Sequence, residues 1–183
     1  MVVALIIIAI LAVIVLWVIK VQRDLVGKDE KCQNAMSQIG VQQNSRWDAL
    51  TALAELVKSY NEHEYNTLKD VIAARKPINQ NSSAADVEAQ EKAMSELARQ
   101  IDIVVERYPE LKANENYKQA MESVNMYENQ VRTARMVYND TVTAYNKMVR
   151  QFPESFVASL LHFEKRDYLK EPEGKTEMPS MKI

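Results

Sequence analysis

The sequence predicts an all-α protein: an N-terminal transmembrane helix followed by an elongated antiparallel helical bundle, with three long helices plus a short fourth. Three observations carry this expectation. The first nineteen residues, MVVALIIIAILAVIVLWVI, are apolar throughout. Only three glycines and five prolines occur among 183 residues, against abundant Ala, Glu, Lys, Gln and Met. That composition favours long helices over sheets. From Tyr117 onward, large apolar side chains recur every seven residues, a helical repeat, and no segment reads as a strand.

The apolar segment comes first. Nineteen residues rise about 28 Å as a helix, close to the roughly 30 Å of bilayer hydrocarbon. A cleaved signal peptide would have a basic start, a shorter apolar run and a small-residue cleavage site. No Lys or Arg precedes this run, and LWVIKVQ offers no such site. Residues 1–19 are therefore expected to be a retained anchor in the lipid bilayer, with Trp17 at the interface. Lys20, Arg23, Lys28 and Lys31 follow within a dozen residues. By the positive-inside rule, the amino terminus lies outside and the body in the cytoplasm, a single-pass arrangement in the cell (inner) membrane.

The bundle is expected over residues 20–163. Met36, Ile39, Leu50, Leu53, Val57, Tyr60 and Val71 fall mostly on three- and four-residue steps. The first helix is therefore drawn from the anchor, bent or broken near Gly27, to just before Pro77, about 75 Å beyond the membrane. PINQNSSAAD (77–86) reads as a loop. Ser83 caps a second helix to about Arg107, with Val87, Met94, Leu97, Ile101 and Val104 inward. Pro109 ends that helix, ELKANENY turns, and Asn114 caps the third. Tyr117, Val124, Val131, Tyr138, Tyr145 and Phe152 make an unbroken heptad line, which argues for near-parallel packing against another long helix. A short fourth helix, about Glu154 to His162, precedes a polar tail, 164–183.

Beside the apolar line on the third helix stand Glu128 and Arg135, and the inward lines of the first helix pass through Gln43, Arg46 and Glu64. If the two helices pack side by side, Arg46, Glu64, Glu128 and Arg135 meet between them. Buried ion pairs are costly, and their best-supported structural use is to fix register. The alternatives are a groove lined by these residues that binds a partner segment, or a solvent-facing position.

Other chemistry finds little support. The formal net charge of −2, with 23 basic and 25 acidic residues, gives no electrostatic reason to expect nucleic acid. The single cysteine, Cys32, excludes an internal disulfide and reads as a solvent-facing or interhelical thiol. His63 and His162 are the only histidines, and NEHEYN lacks the second histidine of a zinc helix. Three glycines leave no phosphate-cradling loop. Neither a catalytic residue nor a cofactor or metal is expected.

ERYPELKANENY followed by YENQVRTARMVYNDTVTAYNKMVRQFP closely resembles the LemA family of bacterial membrane proteins. The family's pattern lies at Pro109 to Asn114, Glu128-Asn129, Ala134-Arg135, Tyr138-Asn139, Tyr145-Asn146 and Phe152-Pro153. AMSQIGVQQNSRWDALTALAELVKSYNEHE, AAR at 73–75 and the closing MPSMKI are also similar. LTALAELV (50–57) and QRDLV (22–26) depart from it, which puts the detailed helix path in doubt. The resemblance implies an amino-terminal span, a small helical bundle in the cytoplasm and no established catalysis. The expected role is that of a membrane-anchored adaptor with a protein partner at the membrane. The alternative is a self-associating homo-oligomer that organises membrane, for which Ala4, Ala9 and Ala12 are a weak small-residue pattern.

Overall fold

The computed structural model describes residues 1–170. Among them are six helices and no strand: α1 (Val2–Tyr60), α2 (Glu62–Ala73), α3 (Ala84–Arg107), α4 (Pro109–Ala113), α5 (Glu115–Arg150) and α6 (Glu154–Leu160). α1 begins with a window long and apolar enough to cross a membrane, and none of that window is buried inside the protein. It continues through Gly27 without a break.

The first helix does not reach Pro77. It stops at Asn61, whose extended backbone (φ −156°, ψ 112°) interrupts the ladder for one residue. The Asn61 side chain then caps α2 by accepting from the His63 N–H at 2.9 Å, and Glu62 and Glu64 favour the same helix start. The chain doubles back here: Arg75 reaches Asp48 at 2.8 Å, and the Ile78 backbone lies against Gly40. The part of α1 beyond Ile19 is therefore about 60 Å long, shorter than expected, and α2 covers its far end.

Local signals placed the remaining boundaries. Ser83 and Asp86 form a reciprocal capping box on α3, and Asn114 accepts from the N–H groups of Asn116 and Tyr117 to start α5. The ELKANENY turn contains the five-residue α4, with Pro109 in its first turn and Leu111 buried.

α5 lies along α1 in the opposite direction, Arg46 facing Glu128 and Cys32 facing Thr141. Two apolar cores result. The one nearer the apolar window joins Val21, Leu25, Met36 and Ile39 of α1 to Tyr138, Val142 and Tyr145 of α5 and Val157 of α6. The distal one gathers Trp47, Leu50, Leu53 and Val57 around Met94, Leu97, Ile101, Leu111 and Val124. Trp47 is the largest fully buried side chain. Phe152 does not continue the heptad line: it follows the end of α5 and is 83% exposed. Tyr60 is exposed as well.

Candidate functional site

Between the two cores runs a layer of polar side chains. Gln43 and Arg46 enter it from α1, Gln90 and Glu91 from α3, and Glu128 and Arg135 from α5. Arg46 donates from Nη2 to Glu128 Oε2 at 2.9 Å, with the two side chains 9% and 25% exposed. Arg132 adds a second cation to Glu128 at 3.6 Å. One heptad along α5, Arg135 pairs with Glu91 and also donates to the Lys170 carbonyl. Gln90 accepts from the Lys76 N–H at 3.0 Å, anchoring the loop before α3.

Of the four charges expected to meet, only Arg46 and Glu128 bond each other directly. Arg135 finds its carboxylate on α3, not on α1. Glu64 belongs to α2, where it pairs with Arg107 at 3.1 Å near the distal end. Its removal from the seam follows from the turn at Asn61. Glu91 was the missed partner, although it stands four residues after Val87 and three before Met94, inside the inward stripe of α3. The geometry favours one register of α5 against α1. Sliding α5 by one heptad would bring Arg135 beside Arg46 and strand both carboxylates.

A second constellation lies on the C-terminal half of α5. Residues 164–170 lie along this helix, running opposite to it, and are held by their backbone. Tyr145 donates to the Glu164 carbonyl at 2.8 Å, and Tyr138 donates to that of Asp167 at 3.2 Å. Asn146 grips Arg166 twice, Nδ2 donating to its carbonyl at 2.8 Å and Oδ1 accepting its N–H at 2.9 Å. Asn139 does the same to Leu169, both bonds at 3.0 Å. Each side-chain amide thus supplies the donor and acceptor that a neighbouring strand would offer.

The spacing has a simple origin. Seven helical residues rise about 10.5 Å, and three extended residues span about 10 Å. Each Tyr-Asn pair therefore meets the tail three residues after the previous one, without strain. Burial pushes both tyrosine hydroxyls above their usual pKa, which keeps them as donors. Two side chains complete the fit: Leu169 is buried, and Arg166 donates to Asp29 on α1 at 2.7 Å. The tyrosines are core residues whose polar ends hold the tail. The rest of the tail, 171–183 including MPSMKI, lies outside the described residues.

Cys32 is interhelical and fully buried beside Thr141, and burial raises its thiol pKa. A buried, protonated thiol is a poor nucleophile. His63 sits in the first turn of α2 and His162 just after α6, at opposite ends of the bundle. The two cannot share a metal ion. His162 adopts φ 58°, while its N–H bonds the Ser159 carbonyl and that of Phe163 bonds Ala158. That is a Schellman helix stop, a structural task for this histidine.

A family model described as the LemA family matches residues 35–183, which include the charged layer and both Tyr-Asn pairs. Magnetosome proteins MamQ 1 and MamQ 2 of Paramagnetospirillum magneticum are each 32% identical to this chain over 74 residues, 40% of its length. The match spans 27% of either relative, about a quarter of their length. On the strength of the match across most of its length, the chain belongs to the LemA family.

Proposed function

We propose that this protein is a membrane-anchored, non-catalytic helical adaptor. In this reading residues 1–19 span the cell (inner) membrane with the amino terminus outside, and the bundle works in the cytoplasm on a protein partner. The anchor's apolar, unburied window supports the span, and the basic residues from Lys20 to Lys31 support the orientation.

The observation that carries the adaptor reading is what the buried polar side chains of the bundle hold. The buried arginines of the central layer are committed to carboxylates, and the tyrosines and asparagines of α5 are committed to a peptide backbone. Backbone-directed hydrogen bonds accept any extended segment, and two side-chain positions set the choice: a cation for Asp29 and an apolar residue three places on. Such a face is suited to holding polypeptide at the membrane.

The test is affinity capture of the full chain from cells in mild detergent after crosslinking, compared with an anchor-only control. Enrichment of a defined protein, crosslinked to the bundle, is expected. Recovery of the same proteins with the anchor alone would overturn the adaptor reading. Reporters fused after Ile183 test the orientation, and activity outside the cytoplasm would reverse it.

A further inference from the structure

α6 has one face in the protein and one that the protein leaves bare. Val157 and Ala158 are buried against α1. Phe156 and Leu160, spaced four apart along one stripe, are 69% and 63% exposed; Leu161 adjoins them, and Phe152, in the turn before α6, is 83% exposed. A large apolar stripe of this kind on a short helix marks a surface built to meet something apolar.

Its place in the fold says what. Trp17 and Val18, in the last turn of the apolar window, pack on the same core as Val21, Leu25, Val157 and Ala158. Extending the α1–α5 register from Arg46–Glu128 and Cys32–Thr141 sets Arg150, the last residue of α5, beside Asp24. The turn after α5 and the whole of α6 therefore lie level with the point where α1 changes from apolar to charged. Lys20, Arg23 and Arg150 are exposed around the same level. Aromatic and aliphatic side chains flanked by cations are the composition of a helix in the interfacial plane, with the cations near lipid phosphates.

We infer that α6 is a second membrane contact, lying in the boundary between headgroups and acyl chains with Phe152, Phe156, Leu160 and Leu161 in lipid. The inference rests on the reading of residues 1–19 as the span. A single helix can tilt and rotate freely in a bilayer; a lateral foot beside it fixes the rotation. The foot also holds residues 164–170, which begin four residues after α6, close to the membrane surface.

The test uses the full chain, with the buried Cys32 left in place, in vesicles of mixed phosphatidylethanolamine and phosphatidylglycerol. Nitroxide labels are introduced singly through Phe156→Cys, Leu160→Cys, Ile10→Cys and Met136→Cys, and their exposure to oxygen and to a water-soluble nickel chelate is read by electron paramagnetic resonance. Labels at 156 and 160 are expected to be oxygen-rich and shielded from nickel at roughly 5–10 Å below the headgroups. The label at 10 should read deeper, and that at 136 as in water. Water-like exposure at 156 and 160 with a lipid-buried label at 10 overturns the foot alone. Water-like exposure at 10 overturns the span, and the foot with it.

Discussion

Replacing Asn139 and Asn146 together with Ala should release residues 164–170 while leaving α5 folded. The two amides make four bonds to the backbone of Arg166 and Leu169. A net hydrogen bond contributes about 0.5–1.5 kcal/mol, so four bonds contribute roughly 2–6 kcal/mol. The lower part of that range applies. The segment is partly exposed, and its freed N–H and C=O groups can turn to water as it lifts. About 2–3 kcal/mol corresponds to roughly 30–150-fold in the opening equilibrium. Amide hydrogen exchange read by mass spectrometry is the direct assay. Exchange over 165–170 should accelerate by that factor, with the amides around Val142 changed only a few-fold because the opening is local. If exchange over 165–170 stays within about threefold of the wild type, the amide pairs do not hold the tail and the reasoning fails.

Three further outcomes are expected. Gly40→Ala places a Cβ 2.3 Å from the Ile78 carbonyl oxygen and should lower stability by about 1–3 kcal/mol, whereas Gly27→Ala meets nothing within 4 Å and should raise it by about 0.5–1 kcal/mol; thermal unfolding followed by circular dichroism would show the opposite signs. Glu128→Leu alone should cost roughly 2–3 kcal/mol by stranding Arg46, while Glu128→Leu with Arg46→Met should fall within about 1 kcal/mol of the wild type, as measured in denaturant; equal losses would show that the pair is not coupled. His162→Gly relieves a left-handed backbone and should raise the melting temperature, by about 1 kcal/mol in stability; a fall would mean that the imidazole does more than end α6.

Where a boundary is made by local chemistry, it could be read without coordinates. Ser83 and Asn114 cap the helices they were expected to cap, because a hydroxyl or amide before an acidic first turn needs no tertiary help. Asn61 carries the same signal, an asparagine before Glu-His-Glu, but without Gly or Pro beside it the apolar steps on either side hid the turn. That omission carried Glu64 into the wrong seam. Phe152 was misread for a related reason: a period of seven was counted across the end of a helix, where it has no geometric meaning. Arg46 with Glu128 could be seen because both lie on inward lines of helices that pack together. The hold on residues 164–170 could not. An extended segment gripped by its backbone leaves no periodicity in its own side chains, and the Tyr-Asn repeat on α5 makes sense only once its partner is known.

The pairing of α1 with α5 also sets an order of events during synthesis. Arg46 must wait for Glu128, 82 residues later, and Asp29 for Arg166, 137 residues later. At roughly 5–20 residues per second, the inward stripe of α1 stays uncovered for several seconds after it leaves the ribosome. Although every described element is helical, the protein closes through contacts as distant in sequence as those of many sheet proteins, which slow folding. α2 and α3 can shield only the distal half of that stripe in the meantime. The half beside the apolar segment, completed by α5, α6 and the tail, is the last to close and the first exposed to misassociation with neighbouring chains.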